Sequence, residues 1–306
     1  MSAQSLSSPP PSPPAGRPGR PARPGRRPFG VWLRRNAGQL TLTSIGALLA
    51  GLWLVPFGWA LATSLKPEGD TQKLPLRWLQ SNMNLDAYRS VLGEGNIPKW
   101  LVNSVIVSSG VTVLTLTVSA LAAYGFARTE FRCRRLLFGL TMAGIMVPGT
   151  VITAPLFANV RTMGLVDTYW GVILPQVSAP AMVFILYKFF QGVPRELEEA
   201  ARIDGAGRWR IFGQIVLPLS RPVLAAVAIF TFISSWNNFM WPYLVTTDPD
   251  LATLPVGLAT VQSSFGVRWA QLMAGALLAA LPLLIVFVFF QRQIVRGVAH
   301  TGIAGQ

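Results

Sequence analysis

Apolar positions along the chain gather into six blocks, approximately 40–64, 100–126, 136–160, 169–187, 222–245 and 270–290. Each is close to or above the roughly 20 residues that cross the hydrocarbon core of a bilayer as a helix. Inside lipid every backbone N–H and C=O must find a partner within the chain, so blocks of this kind fold as helices. The pattern predicts an all-α polytopic membrane protein with six transmembrane helices. Small residues recur four apart, as at Ser104/Ser108 and Gly275/Ala279, a spacing that lets helices approach closely. Pro148, Pro155, Pro175, Pro180 and Pro282 lie in or near the blocks and predict kinks or interruptions.

Between the fourth and fifth blocks stands a polar, charged stretch, 194–222. Pro194 suits the first turn of a helix, where its missing N–H costs nothing. Leu197, Ala200 and Ala201 then share one face. Asp204 to Gly207 breaks the helix, with Gly205 where a left-handed residue is wanted. A second short helix is predicted to carry Trp209, Phe212 and Val216 on one stripe and to end at Pro218, and Ser220 with Pro222 starts the next element. The reading is a short helix, a sharp turn and another helix, held at a membrane surface.

Residues 1–35 are rich in Pro, Ser, Gly and Arg and hold almost no apolar run. Such a segment cannot bury enough surface to order itself, so a disordered basic tail is predicted, lying near anionic headgroups or binding a partner. No apolar core of a cleavable signal peptide lies within it. The domain organisation expected is this tail followed by a transmembrane domain over 36–306, whose longest inner loop is about 188–221.

Composition sharpens this picture. The 306 residues are 51% hydrophobic and only 12% charged, against about 25% in soluble domains. The net charge of +14 invites a nucleic-acid reading. The distribution argues otherwise. The tail, 127–135, 188–221 and the C-terminal end hold 19 of the 26 Lys and Arg and all of the net positive charge, while the opposite connections sum to zero. By the positive-inside rule the first set is cytoplasmic, and so are both termini and the 194–222 loop. A long first loop, 65–99, and the loop 246–269 face outward.

Chemistry of an engine is missing. The six blocks contain no Asp, Glu, Lys, Arg or His, the usual machinery of proton- or ion-coupled transport. None of the four lysines follows a glycine, so there is no phosphate-binding loop of the G-x-x-x-x-G-K-[ST] form, and neither H-E-x-x-H nor G-x-S-x-G occurs. One cysteine, Cys133, and one histidine, His300, make neither a disulfide nor a zinc site. No catalytic residue, metal or cofactor is expected. The chain reads as a conduit whose engine is a separate protein docking on the 194–222 loop; a membrane-bound enzyme or scaffold is the more distant alternative.

The residues of that loop carry a resemblance. Glu199-Ala200-Ala201-x3-Gly205-x9-Ile215-x-Leu217-Pro218 resembles the EAA motif of the membrane subunits of binding-protein-dependent ABC importers, with all seven fixed positions at their usual spacing. Asp204 within Ile203-Asp204-Gly205-Ala206 fits the same pattern. The resemblance spans nearly all of 36–306, and specifically the shorter, maltose-type second permease of carbohydrate importers. Thr63 to Pro67, Asn84 to Tyr88, Ala123 to Arg128 and Ser235 to Phe239 support it, whereas the end, Gly302-Ile303-Ala304-Gly305, lacks the lysine common in related chains. The resemblance implies a type I ABC importer transmembrane domain with a cytoplasmic coupling helix. Glu199 would meet a basic residue of the ATPase, Ala200 and Ala201 would allow close approach, and Gly205 would make the turn. It also implies partners: a second permease, an ATPase dimer and an extracytoplasmic sugar-binding protein that the 246–269 loop approaches. ATP-driven closure would rock the subunits between inward- and outward-open states. A di- or oligosaccharide is the expected cargo, with a polyol or glycerol-phosphate-like solute as the alternative.

Candidates for the sugar pathway are Asn103, Trp236, Asn237 and Asn238. Asn237 and Asn238 lie about 15 residues into the fifth block, roughly 22 Å along a helix. Neutral amides satisfy hydroxyl groups, and an indole face packs on sugar C–H groups. The same residues serve equally as interhelical hydrogen-bond partners.

Overall fold

The computed structural model describes residues 29–303, apart from 76, 79, 94, 95, 265 and 266. Contacts divide the chain into two units, 1–55 and 56–306. Residues 1–28 of the expected tail lie outside the described residues. Helix α1 (Phe29–Ser64) already begins at Phe29 and takes in the last seven residues of the expected tail, 29–35. Within the first unit its described apolar side chains, Leu42, Leu48, Leu52 and Trp53 among them, are exposed.

In the second unit α1 continues through Pro56 to Ser64, followed by α2 (Asp86–Gly93) and α3 (Ile97–Arg128). Next come α4 (Arg134–Met146) and α5 (Gly149–Thr162), then α6 (Tyr169–Ile173), a 3-10 turn (Leu174–Val177) and α7 (Pro180–Gln191). The polar loop folds into α8 (Arg195–Ile203), α9 (Arg208–Ile211), a π turn (Phe212–Val216) and α10 (Leu217–Leu219). α11 (Arg221–Trp236), α12 (Met240–Val245), α13 (Leu254–Ser264) and α14 (Trp269–Ile303) complete the chain. No strand occurs among the described residues.

Three of the six apolar blocks are single long helices, 41–64, 97–128 and 269–291. The other three are bent. α4 and α5 meet at 104° across Val147 and Pro148, and the α6 segment and α7 meet at 48° across Ser178 and Ala179, just before Pro180. The fifth block is not one helix to Val245. α11 stops at Trp236, Asn237 to Phe239 interrupt it, and the preceding stretch 208–219 meets α11 at 79°. Proline explains the first two breaks, since the residue before it is driven out of the helical region and its ring blocks the turn behind it. Pro155 and Pro282, in contrast, sit inside continuous helices.

α3 is the axis of the unit, packing chiefly on α7 and α11. Its small residues Ser104, Ser108, Ala120, Ala123 and Ala127 are all buried, which brings neighbouring backbones close and lets dispersion contacts accumulate. Three apolar clusters line up along it. Val91, Ile97, Trp100, Trp236, Leu254 and Ala274 pack at its start. Val107, Val111, Val160, Val172 and Val245 pack midway. Ala123, Leu186, Phe190, Ile211, Val216 and Val227 pack at its end. Packing at the first cluster is tight: a Cβ on Gly257 would fall 2.1 Å from the Trp100 ring.

The end cluster corrects the expected stripe of the second short helix. Ile211, Phe212 and Val216 are buried, but Trp209 is 77% exposed. Nor does Pro218 end the helix. The Leu217 N–H reaches five residues back to the Phe212 carbonyl, the wider π spacing. The helix passes Pro218 and closes at Ser220, whose N–H bonds to the Val216 carbonyl at 3.0 Å.

Candidate functional site

Two places were singled out by the sequence, the polar loop and the amides of the apolar blocks. In the loop, α8 ends in a complete Schellman turn. The Ala206 N–H bonds to the Ala201 carbonyl at 2.9 Å and the Gly205 N–H to the Arg202 carbonyl at 3.0 Å. Gly205 holds φ at +80°, a conformation that costs any residue with a Cβ. Asp204 is exposed and caps the helix through its N–H to the Ala200 carbonyl.

Burial divides α8 by function. Ala201 and Ala206 pack against the end cluster of α3. Glu199, Ala200 and Leu197 are exposed, and Ile203 is 87% exposed. Leu197 therefore does not share a packed face with Ala200 and Ala201, as its spacing suggested. The helix presents carboxylate, small and apolar surface outward, uncovered by the described residues. The buried acid is Glu198, 3% exposed. Its carboxylate lies 3.1 Å from Nε of Arg128 and 3.7 Å from Arg202.

The amides are less alike than their residue type suggests. Asn103 is 2% exposed and fully engaged. Its Nδ2 donates to the carbonyls of Asp250 and Ala252 at 2.8 and 2.9 Å, and its Oδ1 accepts from the Tyr169 hydroxyl at 2.7 Å. Asn103 is an anchor for the 247–254 segment. Trp236 is likewise core: it is 3% exposed, stacks on Phe232 and donates Nε1 to the Ala279 carbonyl at 3.3 Å. Asn237 is exposed, and its Nδ2 donates to the Ile233 carbonyl, its one side-chain bond among the described residues. Asn238 donates to Oε1 of Gln176 at 2.9 Å. That pair joins the break after α11 to the 3-10 turn of the α6 segment, so two interrupted helices meet at neutral amides.

Asn103 belongs to a larger fastening of the loop after α12. Trp100 Nε1 donates to the Pro249 carbonyl at 2.8 Å, the Leu254 N–H donates to Ser104 Oγ at 2.8 Å, and Lys99 pairs with Asp250. From the other side the Asp167 carboxylate accepts the Thr247 hydroxyl and the N–H groups of Thr247 and Asp248 at 2.6–3.0 Å. The Thr247 hydroxyl above all, then the Asp248 N–H and, to a lesser extent, the Thr247 N–H, hold the Asp167 carboxyl below its ordinary pKa against the opposing effect of burial. Asn103→Ala leaves a buried hydroxyl and two carbonyls unpaired and is expected to cost about 2–4 kcal/mol of stability. Asn237→Ala, at an exposed site, is expected to stay within about 0.5 kcal/mol. Thermal unfolding of the purified protein in detergent separates the two.

With this geometry in place, the comparisons are direct. Residues 115–300 match the family described as binding-protein-dependent transport system inner membrane component. The chain belongs to that family. The permease is 36% identical over 271 residues to the arabinooligosaccharides transport system permease protein AraQ of Bacillus subtilis (strain 168), covering 87% of this chain and 96% of the relative. It is 37% identical to the diacetylchitobiose uptake system permease protein NgcG of Streptomyces coelicolor, over 84% and 87% of the two chains. With the trehalose/maltose transport system permease protein MalG of Thermococcus litoralis it shares 35% identity over 90% of this chain and all of the relative. Its fold matches a chain of a bacterial ABC transporter involved in the import of the acidic polysaccharide alginate, with a TM-score of 0.75 at 22% identity, covering 84% of this chain and 96% of that one. The permease thus has the type I ABC importer transmembrane fold, and its apolar helices place it in a membrane.

Sequence reasoning missed Glu198, Arg128 and Gln176. Glu198 stands beside the motif position Glu199 and differs from it only in facing inward. Arg128 closes the Ala123 to Arg128 stretch, and a cation ending an apolar helix reads as a snorkelling anchor. Nothing in the pattern distinguishes Gln176 from a packing amide.

Proposed function

We propose that this permease is the membrane-spanning, non-catalytic subunit of an ATP-driven importer for an uncharged di- or oligosaccharide. It works as a heterodimer with a second permease, on two copies of a separate ATPase, and takes sugar from an extracytoplasmic binding protein. The observation that carries this reading is α8: a short helix closed by the Gly205 turn, rooted by its inner face, with Glu199, Ala200 and Ile203 standing exposed. That is a docking knob, and Glu199, Ala200, Ala201, Asp204 and Gly205 are its ATPase-coupling residues. The excess of Lys and Arg on the same side supports a cytoplasmic knob and cytoplasmic termini.

A neutral cargo follows from the chemistry of the apolar segments and from the sugars in the names of the relatives. The two helix breaks carry the amides Gln176, Asn237 and Asn238 and the Ser178 hydroxyl, which offer donors and acceptors without charge. We assign Asn237 and Asn238 to the pathway, with Asn237 presenting a free carbonyl oxygen and Asn238 shaping the break. In proteoliposomes holding the complete importer, Asn237→Ala and Asn238→Ala are expected to raise the KM for uptake of a labelled neutral oligosaccharide about tenfold, the worth of one lost hydrogen bond or slightly more. If uptake kinetics and substrate-stimulated ATP hydrolysis stay as in the wild type, the pathway assignment fails.

A further inference from the structure

The end of α3 holds a group that neither the motif nor the pathway uses. Arg128 is 4% exposed at its side chain, and so is Glu198. The guanidinium does three things at once. Its Nη2 donates to the carbonyls of Phe190 and Val193, at and just beyond the C-terminus of α7. The Phe190 carbonyl also accepts the Val193 N–H at 3.3 Å, and both carbonyls lie at the negative end of the helix dipole. Its Nε faces the Glu198 carboxylate of α8 at 3.1 Å, in ion contact without hydrogen-bond alignment. One side chain therefore ties α3, the end of α7 and the docking helix together. The surrounding charges do not replace it. Arg202 reaches Glu198 only from the exposed side, at 3.7 Å. Glu130, Arg195, Glu199 and Arg208 line a cavity of about 500 Å³ beside the pair.

We infer that Arg128 and Glu198 form a positioning pair that fastens the docking helix α8 to α3 and α7, so that a displacement of α8 moves these helices as one body. The inference rests on the proposed docking role of α8. Apolar packing alone would hold α8 loosely: Ala201 and Ala206 are the contacts that α8 and its turn make with the end cluster, and alanine methyls resist sliding poorly. A buried ion pair is costly to separate and resists slip, because moving one partner leaves the other, a side chain only 4% exposed, without its counter-charge. The planar fork is essential. Lysine keeps the charge but cannot serve two carbonyls and a carboxylate in three directions.

Two variants test this, Glu198→Gln and Arg128→Lys, each in the complete importer with its ATPase, second permease and binding protein. Both are expected to lower the sugar moved per ATP hydrolysed by about tenfold, a size typical of broken coupling between sites. A parallel measurement needs no partner. Spin labels at Ile203→Cys on α8 and Val118→Cys on α3, in a Cys133→Ser background, report the distance between the two helices within this chain. The distribution is expected to be narrow in the parent and to broaden in both variants. A transport ratio within about twofold of the parent, or an unchanged distance distribution, overturns the inference. If the parent itself recruits no ATPase, the docking reading fails separately, and the distance measurement still decides whether the pair fastens α8.

Discussion

Gly205→Pro abolishes uptake while leaving the protein in the membrane. The expectation follows from one backbone angle. Gly205 sits at φ +80°, and proline is confined near −65°, so the substitution cannot be absorbed where it stands. It also removes the N–H that bonds to the Arg202 carbonyl at 3.0 Å. Both halves of the Schellman turn are lost, and the chain from Ala206 onward leaves α8 in another direction. The Gly205 turn lies outside the apolar blocks, so membrane insertion is expected to be normal. A control isolates the angle. A Cβ at Gly205 meets no atom within 4 Å, so Gly205→Ala pays only the left-handed strain, about 1 kcal/mol, and should retain part of the uptake. Uptake of labelled sugar with immunoblotting of membranes measures both. Normal transport by Gly205→Pro would end the claim that this turn transmits force.

Glu199→Lys is the second large effect, and its value lies in the contrast with its neighbour. Glu199 is exposed, with Arg195 one turn before it and Arg202 nearly one turn after. Reversing its charge sets a third cation between Arg195 and Arg202, with Glu196 the neighbouring acid, without touching the packed interior of α8. The variant is expected to fold, insert and lose ATPase recovery together with uptake, because an exposed carboxylate aimed at a basic partner becomes a repulsion. Glu198→Lys should behave differently. It would place a second cation against buried Arg128, which destabilises the chain itself by about 3–5 kcal/mol and lowers its abundance. Adjacent acids thus separate docking from folding. Equal losses of abundance in the two variants would show that the outer face has no docking role of its own.

Much of this was legible along the chain. Helical periodicity and length located the apolar segments, and glycine placement located the left-handed turn, because both depend on local backbone physics. Proline marked two of the three bends but not which prolines are tolerated. Pro155 and Pro282 remain inside helices, and Pro218 is passed by a π turn whose spacing no 3.6-residue pattern contains. Trp209 left the expected stripe because the buried face of this segment runs through Ile211, Phe212 and Val216. The amides were the harder case. Asn103 and Asn238 have the same side chain in similar apolar company, and only their partners, 147 to 149 residues away for Asn103 and 62 for Asn238, assign one to a loop anchor and the other to a helix break. Glu198 and Glu199 differ by 100° around a helix, an angle that a motif fixes only once the helix has something to pack on.

We propose that the exposed helix α8 exists to receive a separate ATPase. Affinity purification of this permease from its native membranes in mild detergent, with mass spectrometry of what accompanies it, tests that claim most directly. The account predicts recovery of an ATPase bearing a phosphate-binding loop and of a second permease carrying its own EAA motif, with the ATPase lost selectively in Glu199→Lys. Recovery of the chain alone, under conditions that keep other membrane complexes whole, would contradict it.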